Sequence, residues 1–163
     1  MKKETYLKNL SYIFEADRPN AKYSLNGEHF MNHGEFCEVL AKSVLGFEPH
    51  KDANTRHDKG HDIPELNASV KSYKAGLTDR KDLRTDKWAY FNGFFADEKR
   101  DTTYIWVYEY GEFVDLWFMN YDEFREFTLN CAKWDDSEKQ KKWRFTLCQN
   151  KINRYLEEHL NAA

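Results

Sequence analysis

Two aromatic-rich runs, Thr103 to Glu109 and Phe113 to Met119, flank the short segment Tyr110-Gly111-Glu112. β-branched and aromatic residues dominate both runs, and a glycine-bearing turn between two such runs specifies a β-hairpin. No other element constrains the chain as strongly, because it commits the second half to a sheet. Helical signals lie on either side of it. Leu7, Leu10 and Phe14 predict a helix over about Glu4 to Glu15, and Asp17 to Gly27, with Pro19, Asn20 and Asn26, reads as a loop. Asn32 with Glu35 three residues on forms a capping-box pattern. It opens a helix whose core face is Phe36, Val39, Leu40, Val44 and Phe47, with Gly46 as its stop. Asn120 with Glu123 repeats the pattern for a helix to about Cys131, and Asn150 to Leu160 closes the chain as an amphipathic helix. Thr78 to Lys87 reads as a short helix or ordered loop, Trp88 to Phe95 as strand-like, and Trp143 to Cys148 as strand or helix. This order predicts an α/β or α+β chain built on a central, mostly antiparallel sheet.

The 163 residues suit one domain, spanning 1–163 and burying roughly 70% of its unfolded surface. With 5 Trp, 10 Tyr and 12 Phe, the core is well supplied and rings are left over for a binding surface. No apolar run is long enough for a membrane span, and no secretory signal precedes the first elements. Cys37, Cys131 and Cys148 are odd in number and embedded in apolar patterns, so buried free thiols in a reducing cytoplasm are expected. A net charge of −3 excludes a polycation that coats nucleic acid indiscriminately. The charge is uneven, however. From Lys71 to Lys87 six basic residues (Lys71, Lys74, Arg80, Lys81, Arg84 and Lys87) stand against three acidic ones (Asp79, Asp82 and Asp86). Lys139 to Arg144 forms a second basic cluster.

The chemistry concentrates between Gly60 and Lys71. Ala68 to Tyr73 alternates, so Ser69, Lys71 and Tyr73 face one way and Ala68, Val70 and Ser72 the other. Folded back through Pro64-Glu65-Leu66-Asn67, the segment is expected to form an antiparallel hairpin with Lys71 alongside Asp62. A carboxylate able to hold a divalent cation, beside a lysine able to hold or deprotonate water, is a minimal kit for phosphodiester hydrolysis. On the first capped helix, Gly34, Glu38, Ala41 and Leu45 make a second stripe, in which Glu38 is flanked by small or apolar neighbours. A carboxylate so placed needs a metal or a basic partner, whereas Glu35 already has a capping role. His57 and His61 are spaced like zinc ligands, and either could be the base of a His-metal nuclease. Yet no cysteine pair or third histidine accompanies them, nor the asparagine-histidine continuation of His-metal sites; a solvated rim around the site suits them better.

Gly34-x-x-x-Glu38 on a helix, Gly60-x-Asp62 on a strand and Ser69-Val70-Lys71 on the next strand together resemble the PD-(D/E)XK nuclease superfamily. The resemblance covers Asn32 to Tyr73 and implies a restriction-endonuclease-like central mixed sheet flanked by helices. One position departs from the pattern: the acidic residue two before the lysine is Ser69 here. Some members read Ser-x-Lys and take the acid from elsewhere. Glu38 would supply it, with Asp79, Asp82 and Asp86 as less well placed substitutes and Glu65 too far along the turn.

By this resemblance Asp62, Glu38 and the Val70 carbonyl would hold Mg²⁺, while Lys71 would activate water and neutralise the transition state. Ser69 would hydrogen-bond the scissile phosphate or a metal-bound water. Lys74, Arg80, Lys81 and Arg84 would track the backbone of double-stranded DNA. The implied activity is Mg²⁺-dependent DNA endonuclease, of a restriction or mobile-element kind, with a homodimer consistent with cutting two strands. The alternative is a catalytically inactive nuclease-fold module that binds DNA or protein, and a third reading is a helix-and-sheet interaction protein without nucleic acid.

Overall fold

The computed structural model describes residues 1–8, 23–25, 28–30, 33–47, 62–72, 101–135, 142–145 and 149–160. Its centre is a four-stranded mixed sheet. Strands β1 (Lys2–Leu7), β4 (Ala68–Ser72), β5 (Thr103–Tyr110) and β6 (Phe113–Met119) lie in the order β1-β6-β5-β4. β1 and β5 run antiparallel to β6, and β4 runs parallel to β5. The β5–β6 hairpin turns where the sequence predicts, through Gly111 at φ +53, a conformation that costs glycine nothing.

Helix α1 (His33–Leu45) covers one face. Its Phe36, Cys37, Leu40 and Ala41 pack with Ile63, Ala68 and Val70, and with Ile105, Val107, Val114 and Leu116. Gly46, at φ +81, ends it. Phe47 N–H donates to Lys42 O at 2.9 Å and Gly46 N–H to Ser43 O at 3.2 Å, the crossed pair of a Schellman cap. Lys42, in the last turn of α1, is only 7% exposed.

The other face carries α2 (Tyr121–Cys131) and α3 (Gln149–Leu160). Asn120 caps α2 in a complete capping box: Glu123 N–H donates to its side chain at 2.9 Å, and its own N–H donates to the Glu123 carboxylate at 2.8 Å. Behind α2 lies an aromatic core. Trp106 meets Phe127 edge-on at 5.1 Å between centroids and Phe145 at 5.2 Å, and Tyr104 stacks on Phe124 at 4.3 Å. Alternation on the hairpin sorts its residues between the two cores: Tyr104, Trp106, Trp117 and Met119 lie on the α2–α3 face, and Ile105, Val107, Val114 and Leu116 on the α1 face.

Two elements depart from the sequence reading. The expected helix from Glu4 is strand β1 through Leu7; its pairing partner lies more than a hundred residues away, from Thr5 opposite Asp115 to Leu7 opposite Phe113. Tyr23–Leu25 (β2) and Glu28–Phe30 (β3) form a small antiparallel pair where a loop through Gly27 was expected. Ala132–Asp135 (β7) and Lys142–Phe145 (β8) form an antiparallel ribbon, which resolves the open reading at Trp143 as strand. Thr78 to Lys87 and Trp88 to Phe95 lie outside the described residues. Among the described residues no helix is long and apolar enough to cross a membrane.

Candidate active site

The site segment is built by a tight reversal. Ile63 and Ala68 form one antiparallel bridge, exchanging N–H···O bonds of 3.0 and 3.1 Å. Between them Pro64–Leu66 makes a single 3₁₀ turn, with proline at its start, where its missing N–H costs nothing. Asn67 takes the left-handed conformation at φ +54, which asparagine tolerates, and redirects the chain into β4. Its carbonyl accepts Thr103 N–H at 3.1 Å and its amide donates to Asp101 O at 3.4 Å, tying the turn to the start of β5.

Among the described residues, the antiparallel hairpin expected here is represented by that one bridge. In its register Asp62 stands opposite Ser69, not Lys71. Continued pairing would send the carbonyl of residue 61 to the Val70 amide. Instead the Asp62 side chain takes that place: Oδ2 accepts Val70 N–H at 2.7 Å and the Ser69 hydroxyl at 3.1 Å. Both bonds use the same oxygen.

Cross-strand register fixes the faces. Ser69 stands beside Tyr104 and Lys71 beside Trp106, on the α2–α3 face, whereas Ala68 and Val70 are buried under α1. Asp62, opposite Ser69, belongs with Ser69 and Lys71. All three are half-buried, at the outer edge of a strand that is terminal among the described residues. The backbone of Ala68 points both its polar groups outward to Ile63. Two residues on, the same alternation turns the Val70 carbonyl to the edge that carries Asp62.

Glu38 is placed differently. It is half-buried on α1, the helix packed on the face opposite Ser69 and Lys71. Glu65 is exposed in the 3₁₀ turn. Lys74, Arg80, Lys81 and Arg84, the acids Asp79, Asp82 and Asp86, and the histidines His57 and His61 all lie outside the described residues.

The sequence reading passed over one acid, Asp115, the lone charge in Phe-Val-Asp-Leu-Trp-Phe-Met. It is 5% exposed and faces the α2–α3 side, accepting Thr5 Oγ1 at 2.5 Å and Tyr110 Oη at 3.3 Å. Its strand is two away from β4, about 10 Å across the sheet, so it does not share a cation with Asp62. Its hydroxyl donors give it a structural role instead.

Among the described residues no group of three or more His, Cys, Asp and Glu side chains is placed to hold a metal ion. The donors present at the β4 edge are the Asp62 carboxylate and the Val70 carbonyl. Both are hard oxygens, the carboxylate of half-buried Asp62 and the backbone carbonyl of buried Val70, a set that fits Mg²⁺ retaining several waters. No protein-family model matches this chain, and no curated protein or solved structure matches it significantly.

Proposed function

We propose that the chain is a Mg²⁺-dependent DNA endonuclease working at the edge of β4. One observation carries this reading: Asp62, Ser69 and Lys71 share a half-exposed edge of one sheet face, with the Asp62 carboxylate fixed by Val70 N–H and the Ser69 hydroxyl. Asp62 and the Val70 carbonyl would hold the cation, and Glu38 would join them, or a water beside them, from α1. Mg²⁺ bound there would polarise the scissile phosphate and lower the pKa of a water. Lys71, on the same face as Ser69, orients that water and sets a positive charge beside the phosphate oxygens as negative charge builds on them. Ser69 holds the carboxylate in place while its own oxygen stays available to accept a hydrogen bond. The buried free thiols Cys37 and Cys131 suit a reducing, cytoplasmic setting.

A second reading has its own support. Asp62 already accepts two hydrogen bonds, which is a sufficient structural reason for an aspartate, and the position two before Lys71 is a serine. A non-catalytic DNA-binding module would look the same. Nicking of supercoiled plasmid in Mg²⁺ or Mn²⁺ supports the nuclease. Salt-dependent duplex binding in Ca²⁺ without any cleavage in Mg²⁺ or Mn²⁺ supports the module.

A further inference from the structure

Both hydrogen bonds on the Asp62 carboxylate fall on one oxygen. Oδ2 accepts Val70 N–H at 2.7 Å and the Ser69 hydroxyl at 3.1 Å, while among the described residues Oδ1 accepts none. A carboxylate oxygen has two lone-pair sites, so these donors fill Oδ2 and leave the open sites on Oδ1. The two donors differ in kind. Val70 N–H belongs to the backbone of β4, which is held to β5 from Ala68 opposite Thr103 to Ser72 opposite Val107. Its short bond to an ionised oxygen is of the stronger, charge-assisted type. Ser69, half-buried beside Tyr104 in that ladder, donates from its side chain. Substitution there removes one donor from Oδ2 and leaves the backbone bond in place.

We infer that the Ser69 hydroxyl sets the cation preference of the β4 edge, a role that deepens the endonuclease reading and rests on it. With Oδ2 filled, Asp62 presents a divalent cation with one oxygen instead of two. Mg²⁺ demands near-octahedral geometry and keeps several of its waters, so a single carboxylate oxygen suits it. Ca²⁺ is larger, takes more oxygen ligands in looser geometry and gains from a carboxylate bound through both oxygens. The hydroxyl therefore withholds from Ca²⁺ an oxygen that Mg²⁺ does not use. Ser69 acts through Asp62, as a positioning residue that decides which carboxylate oxygen is open.

The test is cation binding to the full chain without DNA, followed by the electron paramagnetic resonance signal of free Mn²⁺ with Mg²⁺ and Ca²⁺ as competitors. Ser69→Ala is expected to raise the affinity for Ca²⁺ relative to Mg²⁺ by about 5-fold or more, because ligand number separates the two ions. Ser69→Thr keeps the hydroxyl and is expected to retain the parental ratio. Ser69→Cys, whose thiol is a weak donor, gives a second route to the shifted ratio. Loss of a merely structural hydrogen bond would lower both affinities together and leave the ratio unchanged. Far-UV circular dichroism checks that each variant folds. A parental ratio in Ser69→Ala and Ser69→Cys, or a Ser69→Thr ratio that follows Ser69→Ala, overturns the role of Ser69. The endonuclease reading then stands, provided that the parent binds Mg²⁺ and Asp62→Asn does not. A parent that binds no Mg²⁺, or Asp62→Asn binding it as tightly as the parent, overturns both.

Discussion

The Asp62 carboxylate and the Val70 amide meet at 2.7 Å, a side chain completing the ladder that the backbone of residue 61 would otherwise extend. That bond fixes one carboxylate oxygen at the edge of β4. An asparagine keeps an acceptor oxygen of the same shape, so Asp62→Asn is expected to shift the urea-unfolding free energy by less than about 1 kcal/mol. Asp62→Ala leaves the Val70 N–H and the Ser69 hydroxyl without this acceptor and is expected to cost about 1–2 kcal/mol. The measurement is the unfolding midpoint of the two variants against the parent. Equal losses would show that charge, not hydrogen-bond acceptance, holds the turn.

Lys71 and Glu38 separate by kinetics. Lys71→Ala is expected to lower the cleavage rate by at least about 10²-fold while leaving duplex binding in Ca²⁺ within a few-fold of the parent. Glu38→Gln is expected to behave like Asp62→Asn, because the serine at position 69 leaves the second carboxylate to be supplied from α1. If Glu38→Gln cleaves at the parental rate, α1 contributes no ligand and the acid comes from Asp79, Asp82 or Asp86. Ser69→Glu is expected to restore part of the rate lost in Glu38→Gln.

Alkaline pH should destabilise the fold. Burial pushes the Cys131 thiol up from an ordinary value near 9 to about 12, and the Tyr104 hydroxyl from near 10 to about 12, with Tyr121 adding to the latter. The folded chain holds both groups neutral. Below about pH 9 the folded and unfolded chains bind the same protons at these two groups. Above it the unfolded chain loses protons first, so stability falls as pH rises towards 12. Circular dichroism against pH should show the contribution intact at pH 8 and declining above pH 9. At pH 8 the Cys131 thiolate fraction is lower by about 10³, so iodoacetamide is expected to spare Cys131 in the native protein and label it after denaturation. Fast native labelling of Cys131 would contradict its burial.

The local signals in the sequence were those that depend on neighbours only. The capping box of Asn120 and Glu123, the glycine turn at Gly111, the stop at Gly46 and the amphipathic α3 each formed where their residues specify. β1 was misread because Leu7, Leu10 and Phe14 imitate helical spacing, while the evidence for a strand lies in β6, far along the chain. The parallel pairing of β4 with β5 is likewise non-local and leaves no local mark. At the site, alternation correctly set Ser69 and Lys71 on one face. The register with Asp62 differs by two residues: the four-residue loop Pro64–Asn67, closed by the Ile63–Ala68 bridge, sets Asp62 opposite Ser69, and Lys71 lies two residues further along β4. Asp115 went unremarked because a single acid in an apolar strand reads as an interruption until its hydroxyl donors are known.

The most direct measurement compares the parent with Asp62→Asn on supercoiled plasmid in Mg²⁺, with EDTA and Ca²⁺ as controls. The parent is expected to nick and linearise the plasmid in Mg²⁺ alone. Asp62→Asn, folded and still binding duplex, is expected to leave the plasmid supercoiled under every condition. Cleavage by Asp62→Asn at the parental rate, or a parent inert in both Mg²⁺ and Mn²⁺, would contradict an active site at the β4 edge.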